Sequence, residues 1–267
     1  MAHPAPLPDD GDFLLRSDSA GIATLTLNRP QARNALSLAL MNAVTDALEA
    51  ISGDASVKAV VIAGNGPAFC AGHDLKELRA NPDRAFYEQT FTACSRMMQA
   101  VVRLPQPVIA RVHGIATAAG CQLVASCDLA LAANTARFAT PGVNIGLFCS
   151  TPMVALSRNI GRKQAMEMLL LGEMVPAARA LEFGLINQVV PEAELEAAVT
   201  EMAGKIAAKS PLVLKIGKEA FYRQLELGLS DAYDYASKVM TENMLARDAG
   251  EGIDAFIEKR PPVWQGH

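Results

Sequence analysis

The chain has 267 residues, 51% of them hydrophobic, and a formal net charge of -4, so it can bury a full core in one main domain. The acidic balance, without a basic cluster to neutralise phosphates, excludes nucleic acid as the expected partner. Five cysteines with no Cys-x-x-Cys pair and four scattered histidines have no metal-ligand spacing, so no metal is expected, and reduced thiols point to a cytoplasmic setting.

Residues 1–11 read as a flexible N-terminus, with no targeting segment and nothing for membrane insertion. Next comes a hairpin, 12–16 with 21–28, turning over 17–20, and then an amphipathic helix over 37–51 with Ser37 as its N-cap. The apolar strand 58–63 runs into the loop Gly64 to Leu78, which ends at a helix start. A long helix over 83–103 precedes the strand 107–112, a loop of tiny residues about Gly114 and Ala118-Ala119-Gly120, a helix from Ala119 to Ser126 and a strand over 129–133. From about Ser150 the pattern is almost wholly helical, interrupted by Gly161, Gly172, a short strand within 185–190, and Pro211. There is no Gly-x-Gly-x-x-Gly, and the order reads as a strand-strand-helix spiral over 12–200 followed by a helical region over 201–267.

The two strand-loop-helix elements carry the chemistry. Small residues let a backbone come close to a ligand, and the first amides of a helix are free donors at the positive end of its dipole. Small residues also serve close helix–strand packing, the plainer reading of each loop taken alone.

Together the loops resemble those of the crotonase (enoyl-CoA hydratase/isomerase) superfamily. The likeness extends to Asn28-Arg29-Pro30, Asn34-Ala35-Leu36, Ser126-Cys127-Asp128 and 255–260. It implies an α/β crotonase spiral of repeated strand-strand-helix units whose C-terminal helices build a homotrimer or a dimer of trimers. It further implies an acyl-CoA thioester as substrate or ligand, no other cofactor, and an oxyanion hole made by the backbone amides of His73 and Ala119. Coenzyme A would lie along Arg29, Ala35, Leu36, Ala71, Asp74 and Leu75, with Phe256 and Lys259 of a neighbouring copy on its nucleotide.

The departures decide the chemistry. Hydratases of the family use two glutamates to hold and activate water, whereas this chain has Gln122 and Gly142 at those positions. An amide is a very poor acid or base at neutral pH and glycine offers no group, so hydration is expected to be weak or absent. Of the alternatives, His73 is a proton donor near the thioester oxygen or a residue that turns to solvent. Cys149 or Ser150 is a nucleophile for thioester hydrolysis or acyl transfer, against the plainer reading in which Ser150 or Thr151 caps the helix opening at Pro152. Asp74 and Glu77 read as helix-start acids, Asp128 as a tie between loops, and His113 as a loop or core histidine. Three readings remain: a hydratase/isomerase with an unusual proton donor, another acyl-CoA reaction through Cys149, and a non-catalytic acyl-CoA carrier or sensor.

Overall fold

In the computed structural model, which describes residues 12–267, the chain opens on a hairpin of β1 (Leu14–Ser19) and β2 (Ile22–Leu27). The expected flexible segment 1–11 lies outside the described residues. The hairpin turns on Ala20 and Gly21 alone, both at positive φ, while Ser17 and Asp18 stay in the ladder opposite Thr24 and Ala23. A two-residue turn of this kind matches strand twist, which a turn over 17–20 does not.

Helix α1 (Leu38–Ser52) starts where Ser37 accepts a hydrogen bond from the Leu40 amide. Three strand-strand-helix turns follow. The first is β3 (Ala59–Gly64) and β4 (Ala68–Cys70) with α2 (Leu75–Ala80) and α3 (Arg84–Arg103). The second is β5 (Val108–Val112), β6 (Ile115–Thr117) and α4 (Ala119–Ser126). The third is β7 (Leu129–Ala133), β8 (Arg137–Ala139), a 3-10 turn over Pro141–Ile145, α5 (Pro152–Asn159) and α6 (Arg162–Leu171). Then come β9 (Val175–Pro176), α7 (Ala177–Phe183), β10 (Gln188–Val190) and the helices α8 (Leu195–Ala207), α9 (Pro211–Gln224), α10 (Leu229–Met244) and α11 (Arg247–Glu258).

The first strand of each turn joins a six-stranded sheet, β1-β2-β3-β5-β7-β10, parallel beyond the hairpin; the second joins a four-stranded sheet, β4-β6-β8-β9. The strands of this second sheet span only two or three residues, too short to show alternation: β4 and β6 read as loop from the sequence, and β9 falls in the stretch read as almost wholly helical. All eight residues of α4 are buried, which their small side chains permit.

Polar clasps fix the C-terminal helices. The Lys218 ammonium of α9 donates to the Val101 and Gln106 carbonyls at 3.1 and 3.0 Å and lies 2.7 Å from the Asp128 carboxylate. That carboxylate also accepts from the Tyr222 hydroxyl and the Val108 amide, so Asp128 is the tie its position suggested. Burial pushes the Lys218 pKa down, with Asp128 opposing, and pushes the Tyr222 pKa up. In α11 the buried Asp248 accepts from the Ser210 hydroxyl and the amides of Gln265 and Gly266. Among the described residues no helix is long and apolar enough to cross a membrane.

Candidate active site

The loop 64–74 and the β6–α4 junction interlock through two glycines. A Cβ on Gly72 would meet the Ala118 methyl at 2.8 Å and the Ala119 amide nitrogen at 3.4 Å, and one on Gly120 would collide with the Cys70 backbone. Thr117 Oγ1 adds a tie to the Ala71 carbonyl at 3.1 Å. Ala118 holds φ 50° and ψ -118°, a conformation open to glycine but strained for alanine.

Hydrogen bonds run up to His73 and Ala119 and stop. Leu36 donates to Gly72 and Asp74 donates to Leu36, while Ala118 donates to Ala139 and Gln122 donates to Ala118. Between them, the amides of His73 and Ala119 have no backbone acceptor among the described residues. The Ala119 amide opens α4, the His73 amide lies just before the Asp74 cap of α2, and the two loops are in mutual contact.

The His73 ring packs edge-on against Phe91 of α3, centroids 5.3 Å apart, and neither ring nitrogen has a hydrogen-bond partner among the described residues. Burial lowers its pKa to about 4. The imidazole is therefore neutral at pH 7 and turned inward: the solvent-facing reading fails, and proton exchange near pH 7 is removed by desolvation.

One helical turn further along α4, the buried Gln122 carbonyl oxygen faces the Cys94 thiol at 3.9 Å. The 142 position is closed. A Cβ on Gly142 would stand 2.8 Å from the Leu147 carbonyl and 2.9 Å from Cys149 Sγ, so thiol and backbone occupy the space a side chain would need. Burial raises the Cys149 pKa, the opposite of what an activated thiolate requires. The cap reading of this segment is also corrected. Thr151 adopts helical angles and makes no side-chain cap, and the Ser150 hydroxyl instead donates to the Phe148 carbonyl at 3.3 Å. A capping side chain needs extended backbone at that position.

Arg29 donates to the Ala35 carbonyl at 2.6 Å and the Asp74 carboxylate at 3.1 Å. Asp74 also caps α2, accepting from Lys76 and Glu77 amides, and the Glu77 carboxylate accepts from Leu38. Both acids serve exposed amides, as their positions suggested. His113 Nε2 sits 2.8 Å from the Gly66 carbonyl, a loop tie. Sequence reasoning missed the role of Asn34: fully buried, it accepts from the Arg29 amide and donates to the Asn65 and Ala68 carbonyls, clipping the first loop. Its place in the Asn34-Ala35-Leu36 motif was the available signal. Leu36 is buried, Ala71 partly so, and Leu75 half-exposed; Phe256 is 85% exposed on α11, which packs against α9 and α10. No group of three His, Cys, Asp or Glu among the described residues is placed to hold a metal.

The family model described as enoyl-CoA hydratase/isomerase matches residues 17–267. The chain belongs to that family. Enoyl-CoA hydratase domain-containing protein 3, mitochondrial, of Rattus norvegicus is 49% identical over 91% of this chain and 81% of its own. The solved human protein of the same name superposes with a TM-score of 0.92 at 46% identity, covering 95% of this chain and 100% of that one. An enoyl-CoA hydratase from Mycobacterium smegmatis superposes with a TM-score of 0.93 at 55% identity, covering 95% and 99%. The crotonase spiral and the likeness to the domain-containing protein 3 branch are thereby established. The cytoplasmic setting is not: relatives of that branch from rat, frog and human are named as mitochondrial, which overturns it. The five cysteines are free and buried, and that pattern does not identify a compartment.

Proposed function

We propose that the amides of His73 and Ala119 form an oxyanion hole that holds and polarises the thioester carbonyl of an acyl-CoA. The observation that carries this reading is the pair of bare amides on interlocked loops, each flanked by satisfied neighbours. Preorganised donors in a dry site are worth far more than donors in water. The loop formed by Arg29, Ala35, Leu36, Ala71, Asp74 and Leu75 carries the coenzyme A body, Arg29 acting mainly by fixing that loop. Phe256 and Lys259 reach the nucleotide of a neighbouring copy in a trimer or a dimer of trimers. The exposed apolar residues of α10 and α11 support that assembly. Apart from the thioester, the reaction uses no cofactor.

Hydration in this site is weak. Position 122 supplies an amide and position 142 is shut, so no carboxylate flanks the substrate where two are needed. General acid–base catalysis is worth on the order of 10²- to 10⁴-fold, and that factor is lost. The neutral His73 imidazole donates a hydrogen bond to the substrate instead of a proton. The raised Cys149 pKa argues against thioester attack, while the closed slot favours a second reading, a carrier that holds acyl-CoA without turning it over.

Following trans-2-octenoyl-CoA by its ultraviolet absorbance and by calorimetry tests both readings. The expected result is saturable binding with hydration at least ~100-fold below a two-glutamate hydratase. Complete absence of turnover with binding intact selects the carrier, and absence of binding overturns the oxyanion-hole assignment.

A further inference from the structure

A cavity of about 810 Å³ begins at Gln122 and runs between α3, α4, α5 and α9, within the range of ligand sites. Its inner wall is Met98, Gln122, Ala125, Ser126 and Ala155, so its floor lies one helical turn along α4 from the Ala119 amide. At 1.5 Å per residue, Ser126 is about 10 Å along the helix axis from that amide. An acyl chain whose thioester oxygen is held at Ala119 and which passes Gln122 enters this space.

The far end of the cavity is cationic. Five basic residues of its wall face only two carboxylates, Glu219 and Glu226. Lys218 is committed to Asp128 and two carbonyls, and Arg158 pairs with Glu226 at 3.2 Å. Arg103 and Lys215 have no carboxylate within ion-pair distance among the described residues, and Arg223 lies over the Tyr235 ring, 4.5 Å from its centroid. A plain hydrocarbon tail gains nothing from three cations that lack anions, whereas a terminal carboxylate gains charge-assisted hydrogen bonds.

We infer that the acyl group taken by this site ends in an anionic group, a carboxylate, held at the cavity mouth by Arg103, Lys215 and Arg223. This inference rests on the oxyanion-hole reading and adds the class of substrate. The cations lie at a solvent-facing rim, so their selectivity is screened by salt.

Calorimetry on the full chain compares octanoyl-CoA, suberyl-CoA (the eight-carbon chain ending in a carboxylate) and free suberate. Suberyl-CoA is expected to bind roughly 10-fold more tightly than octanoyl-CoA at low ionic strength, the ratio falling towards one in 1 M salt. The Arg103→Gln, Lys215→Gln, Arg223→Gln triple variant brings the ratio near one at low salt, and the charge-keeping Arg103→Lys, Arg223→Lys variant retains most of it. A ratio of one or less in the unmodified protein, with octanoyl-CoA bound, overturns the anionic tail and leaves the oxyanion hole standing. Free suberate binding as tightly as suberyl-CoA overturns it too, since the mouth is then an independent anion site. Failure of both thioesters to bind removes the oxyanion-hole reading and this inference with it.

Discussion

Helix α4 buries all eight of its residues against α3, α5 and the second sheet, whereas α10 buries none of its sixteen and leaves Leu229, Tyr233 and Met240 at 78%, 70% and 60% exposure. The spiral is held by apolar packing about Leu25, Ile62, Phe69, Met97 and Phe138, with glycines where backbones touch. The C-terminal helices are fixed instead by a few polar clasps, Lys218–Asp128–Tyr222 and Asp248 with Ser210. An apolar core is insensitive to pH and intolerant of volume. A clasp of charged hydrogen bonds is the reverse, so the two regions should fail under different insults.

Volume breaks the spiral first. Gly120→Val drives a side chain into the Cys70 backbone and should lower stability by about 3 kcal/mol or more in urea denaturation. Charge breaks the clasp. Lys218→Met leaves Asp128 without its cation and should cost about 3 kcal/mol, with hydrogen exchange rising in α9 before β3 and β5. Equal loss of protection in both regions would contradict the division.

Acid reaches both regions, each through one titrating side chain outside the apolar core. His73 has a folded pKa below its unfolded value, so its contribution is complete above pH 6.5 and is lost as pH falls towards 4, by up to about 3 kcal/mol. Its replacement in His73→Phe should flatten the Tm profile across that window. Hydrogen bonds from Ser210, Gln265 and Gly266 depress the Asp248 carboxyl, against the opposing effect of burial. Its stabilisation is full above the unfolded pKa near 4 and is lost as pH falls through the folded value, so α11 should lose exchange protection at lower pH than His73 responds. The smallest effect belongs to the bare face: Tyr233→Glu with Leu245→Glu should change protomer stability by less than about 0.5 kcal/mol. Light scattering of the same variant should show single chains if that face is the assembly surface.

Much of this was legible in the chain because its signals are local. Ser37 stands one residue before the helix it caps, and the helix–strand order from 58 to 133 follows from runs of apolar residues. The strands of the second sheet were not legible, being two or three residues long, and neither was the hairpin's exact turn, which Ala20 at positive φ decides. Gln122 and Gly142 could be read as departures, yet that Cys149 closes the second position depends on a contact formed only when the turn after β8 folds back on itself.

By itself the sequence determined the spiral, the family and the absence of two carboxylates, since each lies in residue identity and order. Tertiary structure alone decided that the amides of His73 and Ala119 have no backbone acceptors among the described residues, that burial pushes the His73 pKa down, and that the wall of the cavity past Gln122 carries cations. These are properties of space between segments distant in the chain, where desolvation and missing partners, not residue type, set the chemistry.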